Sequence, residues 1–182
     1  MQKISVLILR ILGWRLEGGI PKDVDKCVVV MGPHTSNWDF FIGRLGFFAL
    51  GVKAYFLMKK ELFFFPLGFF LKYLGGIPVD RKGNTTQKIT DLAVSYFNKN
   101  EKMFLVFTPE GTRSYNSKWK TGFYYVSLKA NVPIYIGYMD YEKKIGGFHS
   151  KFKPSGDIDN DIEYIKSILK QYKGRYPENG IN

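Results

Sequence analysis

Short β-rich runs alternate with segments of helical period along this chain, and that alternation restricts the fold more than any other feature. The runs fall at 27–31, 53–58, 76–79, 103–107 and 133–139. Strand and helix in alternation imply an α/β fold, a largely parallel or mixed central sheet flanked by helices. The clearest helix spans about 85–98, where Asn84 and Gln87 have capping-box spacing and Ile89, Leu92, Ala93, Tyr96 and Phe97 share one apolar face. A second spans about 160–173, with Asp159 placed to cap it, Ile162, Ile165, Leu169 and Tyr172 along one side, and Gly174 after a basic last turn. Residues 145–152 read as an additional returning strand, 17–175 as one α/β domain, and 176–182 as a loose tail.

In sheets of this kind ligands bind outside the carboxyl ends of the strands, so the loops after the runs are where chemistry is expected. Three of them carry unusual residues: GPHTSNWDF after the first run, DRKGN after the third and TPEGTRS after the fourth. His34 and Asp39 are five apart, about 140° around an ideal helix, and on one helix they would not share a face. Gly32-Pro33 places His34 in a loop or first turn instead, from which its ring can bend back over a helix carrying Asp39. A carboxylate on one ring nitrogen orients the imidazole and leaves the other nitrogen to take a proton from a hydroxyl, the arrangement of a general base. Arg81 and Arg113 at equivalent strand ends offer guanidinium groups suited to phosphate. Glu110-Gly111-Thr112 adds a tight turn with a hydroxyl and a carboxylate.

Charge and grease narrow the partners. There are 27 Lys plus Arg against 16 Asp plus Glu, a net charge of +11, which favours polyanions: nucleic acid, an anionic membrane or phosphorylated substrates. The single cysteine, Cys27, sits inside an apolar run and reads as core, and one cysteine with two histidines leaves no metal site to predict. Residues 1–16 read as an amphipathic membrane-surface helix, with Ile4, Leu7, Ile8, Ile11 and Leu12 at helical spacing and Lys3, Arg10 and Arg15 beside them. An ordinary helix packed on its own domain has the same periodicity. The Phe-dense stretch 62–70 is more than a small domain buries on all sides, and part of it is expected to meet lipid. No apolar run reaches the roughly 20 residues that cross a bilayer.

The motifs together resemble the glycerolipid acyltransferases typified by 1-acylglycerol-3-phosphate O-acyltransferase. HTSNWD, from His34 to Asp39, resembles the family's His-x4-Asp block; GIPVDR, ending at Arg81, its second; PEGTRS its third; and VPIYI, from Val132, its fourth. The resemblance covers about 27–140. It implies that His34 deprotonates an acceptor hydroxyl with Asp39 as its partner. It also implies that Arg81, Glu110, Gly111, Thr112 and Arg113 bind the acceptor's phosphate, with Lys59 as an addition. The acceptor would be a lysophospholipid, and 1-acylglycerol-3-phosphate would give phosphatidic acid. The donor would be an acyl-CoA or acyl carrier protein thioester, with no further cofactor. The site of action would be the cytoplasmic face of an anionic membrane, reached by a peripheral or monotopic protein. Pro33 and Thr108 depart from the common pattern without removing a catalytic group.

Two other readings compete. A basic module that binds nucleic acid would use Lys118-Trp119-Lys120 and Phe123-Tyr124-Tyr125 for phosphate contact and stacking, leaving His34 and Asp39 without a role. A non-catalytic lipid-surface protein would keep the fold without turnover.

Overall fold

The five apolar runs become five parallel strands in the computed structural model, which describes residues 1–19, 24–80 and 86–182. The order is α1 (Gln2–Ile11), β1 (Arg15–Glu17), β2 (Lys26–Gly32), α2 (Trp38–Leu50), β3 (Ala54–Lys59), α3 (Leu67–Tyr73) and β4 (Gly76–Val79). Then follow α4 (Thr86–Lys99), β5 (Met103–Phe107), α5 (Gly122–Ala130), β6 (Ile134–Asp140), β7 (Ile145–Phe152) and α6 (Ile158–Leu169). Short 3-10 turns occupy Lys60–Leu62 and Pro177–Asn179. One sheet results, ordered β1-β7-β6-β2-β5-β3-β4. β7 returns antiparallel to β6, and β1, unforeseen in the sequence, pairs parallel to β7 at the edge. The sheet is therefore mixed.

Right-handed crossovers decide which helices share a face. The chain steps outward from β2 to β3 to β4, which puts α2 and α3 on one side. It then steps back from β4 to β5 and across β2 to β6, which puts α4 and α5 on the other. Both faces of β2 are consequently covered, which is why its sequence is a nearly unbroken apolar run. Val28 and Val30 face a cluster with Ala93 and Phe97 of α4, Phe123 of α5 and Ile165 and Leu169 of α6. Cys27, Val29 and Met31 face Leu9 of α1, Ile42 and Phe47 of α2 and Phe148 of β7. Each such side chain contributes about 1.5–3 kcal/mol by leaving water. Cys27 is core, and burial pushes its thiol above the ordinary range.

Four expectations about boundaries are corrected. The first helix ends at Ile11 rather than at 16, because Trp14 turns inward, 7% exposed, and the next residues pair with β7. Asp157, not Asp159, caps α6, accepting the Asn160 N–H at 3.1 Å. That helix stops at Leu169, four residues short of the expected 173, as the chain turns to pack Tyr172 face to face on Tyr138, centroids 4.0 Å apart. Residues 176–182 are packed rather than loose: the Tyr176 N–H donates to Thr35 Oγ1 at 3.2 Å, Gly180 is buried and Ile181 packs on the core. Asn84 of the expected capping box lies outside the described residues.

Candidate active site

β2 and β5 are neighbours and parallel, with Val30 opposite Phe107, so the loops that follow them start side by side at the carboxyl edge of the sheet. His34 sits in the loop after β2, and Asp39, in the first turn of α2, reaches back to meet it. Asp39 Oδ2 lies 3.0 Å from His34 Nδ1 and accepts the backbone N–H groups of Thr35 and Ser36, each at 2.9 Å. Its other oxygen, Oδ1, accepts the Tyr141 hydroxyl at 2.8 Å. The carboxylate is 3% exposed and the imidazole 22%. An ionised carboxylate in the first turn of a 13-residue helix is also favoured by the positive end of the helix dipole. With Asp39 ionised, Nδ1 holds the ring proton and Nε2 presents its lone pair; among the described residues Nε2 has no hydrogen-bond partner.

The loop after β5 supplies the second wall. Glu110 is 4% exposed, and its Oε2 accepts the His34 backbone N–H at 2.8 Å. Its Oε1 is buried without a partner among the described residues. Burial, only partly opposed by the His34 N–H and ring, raises the Glu110 carboxyl from the usual 4.5 to about 7. Gly111 takes φ +71°, a left-handed turn in which a Cβ would come within 3.2 Å of Lys120. Asn116 Nδ2 donates to the Glu110 carbonyl at 2.8 Å and Lys120 N–H to the Pro109 carbonyl at 2.7 Å, holding the loop closed. Arg113 and Thr112 are exposed on its outer side. Arg113 hydrogen-bonds Asn37 Oδ1, which ties the two loops together.

Lys59 and Arg81 are placed differently from the rest. Lys59 is exposed at the end of β3, two strands from β2, or roughly 10 Å across the sheet, and no contact joins it to His34 among the described residues. Arg81 lies outside the described residues. The sequence reading missed Tyr141, Thr35 and Asn37 as members of the site. Tyr141 follows two residues after the fifth apolar run and directly on the end of β6, so its position at a strand's carboxyl end was the available signal. Asn37 and Thr35 lie within the His-x4-Asp block itself.

The arrangement can hold a neutral imidazole beside a loop that carries a guanidinium, at the end of a central parallel strand. The family model for acyltransferases matches residues 17–137. The chain belongs to the acyltransferase family. This acyltransferase has the fold of the 1-acyl-sn-glycerophosphate (LPA) acyltransferase PlsC from Thermotoga maritima, with a TM-score of 0.65 and 18% identity. The likeness covers 93% of this chain and 75% of that one. No curated protein matches the chain significantly.

Family and fold meet the expectation of an acyltransferase-like α/β domain. The nucleic-acid alternative also loses its stacking platform: Trp119 is 8% exposed under Lys166, and Phe123 and Tyr124 are 1% exposed in the core. Of its aromatic rings only Tyr125 stands out from the surface.

Proposed function

We propose that this acyltransferase moves a fatty acyl group from a thioester donor, acyl-CoA or acyl carrier protein, to the free hydroxyl of a lysophospholipid. The acceptor we favour is 1-acylglycerol-3-phosphate, which yields phosphatidic acid, the reaction class named for the Thermotoga maritima protein of the same fold. The observation that carries the proposal is the His34–Asp39 pair, one ring nitrogen held and the other without a partner among the described residues, beside the Glu110–Arg113 loop. In the reaction His34 Nε2 takes the hydroxyl proton as the oxygen attacks the thioester carbonyl. The C–O bond forms, the C–S bond breaks, and the proton passes to the departing thiolate. Arg113 with Gly111 and Thr112 binds the acceptor phosphate, and in this reading Arg81 and Lys59 add their positive charges to it.

The protein works at an anionic membrane surface, on the cytoplasmic face where thioester donors are made. Among the described residues no helix is long and apolar enough to cross a membrane. What supports surface docking is the exposure of Ile4, Leu7 and Ile11 on α1 and of Phe65, Phe69 and Phe70 at α3. The decisive experiment compares the protein with His34→Ala, using lysophosphatidic acid and labelled acyl-CoA, then acyl carrier protein and other lysolipids. The variant is expected to lose about 10²- to 10⁴-fold in kcat. Equal product from both proteins ends the proposal.

A further inference from the structure

Asp39 has a hydrogen-bond partner from outside the matched family span, and that partner has a job of its own. Oδ2 of the carboxylate already serves three donors, His34 Nδ1 and the N–H groups of Thr35 and Ser36. Oδ1 has the Tyr141 hydroxyl, at 2.8 Å, in a site where the carboxylate is almost entirely buried. Tyr141 is held from two further directions. Its backbone N–H donates to the Lys173 carbonyl at 2.8 Å, and the Trp14 ring meets its ring edge-on at 4.9 Å. Trp14, Tyr141 and Lys173 all fall outside 17–137.

We propose that Tyr141 is a positioning residue for the reaction: its hydroxyl pins Asp39 Oδ1 so that Oδ2 stays on His34, and it disperses the carboxylate charge that the imidazole meets. This rests on the reading of His34 as the base. The phenol stays protonated through the neutral range, since burial first and the Asp39 charge second push its ionisation well above the usual value, with Arg175 opposing. Among the described residues the other charged groups facing the pair are Glu110, from the loop after β5, and Arg175, from the segment after α6; neither replaces the donor on Oδ1. Removing the hydroxyl concentrates the Asp39 charge toward His34 and strengthens its hold on an imidazolium. The ring then gives up its proton less readily, and it is also less firmly aimed.

The test is an NMR titration of the imidazoles in the full chain carrying Tyr141→Phe, which keeps the ring and its Trp14 contact. His149, exposed in β7, is the internal reference and is assigned with His149→Gln. The His34 midpoint is expected to rise by several tenths of a pH unit while His149 stays put. In the acyl-transfer assay kcat should fall about 10-fold with the acceptor KM within twofold. Replacing Tyr141 by 3-fluorotyrosine, a stronger donor of nearly the same shape, should move the midpoint the other way. A His34 midpoint unmoved in both variants overturns the proposal, as does a kcat loss matched by a fall in Tm with no change in titration. If the wild-type protein transfers no acyl group to any acceptor, the base reading fails, and the titration still decides whether Tyr141 acts on His34 through Asp39.

Discussion

The two helical layers of this acyltransferase cover the same sheet and treat water in opposite ways. α6 buries Ile162, Ile165, Ile168 and Leu169 and shows solvent Asp159, Asn160, Glu163 and Ser167, the pattern of any helix at an aqueous surface. α1 does the reverse. It buries Ser5 and Leu9, leaving the Ser5 hydroxyl without a partner among the described residues, and turns Ile4, Leu7, Ile8 and Ile11 outward. α2 continues the pattern with exposed Trp38 and Phe41, and the approach to α3 with Phe65, which is 92% exposed. Periodicity alone described α1 and α6 in the same words; which side of the period is buried separates them. An apolar layer with His34 at its edge and a charged layer behind suits the lipid acceptor proposed above, which is why surface docking belongs to the proposed function.

The largest effect should come from breaking that asymmetry. Phe65→Asp combined with Phe69→Asp removes two large apolar groups at about 1.5–3 kcal/mol each. Partition into anionic vesicles, read by flotation, should fall more than ~100-fold, while Glu163→Gln on the opposite layer should leave it within about twofold. Vesicle binding that survives the double variant would detach the apolar layer from the membrane.

Next in size is a pH effect at Glu110, on the seam between the layers. Its carboxyl is raised to about 7 in the folded chain from an ordinary 4.5, so the folded protein binds this proton more tightly than the unfolded one does. The resulting stability is fully present below about 4.5 and is lost as pH rises through about 7, to a total of about 3 kcal/mol. Glu110→Gln keeps an acceptor for the His34 N–H and carries no titration. Urea unfolding at pH 5 and pH 8 should show the wild type weakening relative to this variant, and parallel curves would contradict the assignment. The smallest effect tests the packed end of the chain. Thr35→Val leaves the Tyr176 N–H without its acceptor at a residue 3% exposed, at a cost of about 1 kcal/mol in the same measurement.

Much of the fold was legible because a parallel sheet demands apolar runs covered on both faces, and such runs stand out in β2, β5 and β6. The edge strand β1 was not, since three residues paired to a partner 130 positions away carry no periodic signal. At the site, His34, Asp39 and the Glu110–Arg113 loop were readable from residue type and place. Tyr141 was not read as part of it, because it looks like an ordinary strand-end aromatic until Trp14, β6 and the segment after α6 are folded around Asp39. Gly174 shows the same effect. It looked like a helix stop, and it serves as the point of closest approach to Thr35, where a Cβ would lie 2.6 Å from that side chain.

The sequence by itself determined that an α/β sheet, largely parallel or mixed, would form and that a histidine and a carboxylate would stand at its carboxyl edge. Apolar runs and strand-end loops are local properties of a chain, and their chemistry can be read without coordinates. Only the tertiary structure decided which face of α1 looks outward, that the last residues brace the His34 loop, and that a phenol completes the carboxylate. Those outcomes depend on which distant segments share a small volume, and no local pattern contains that distance.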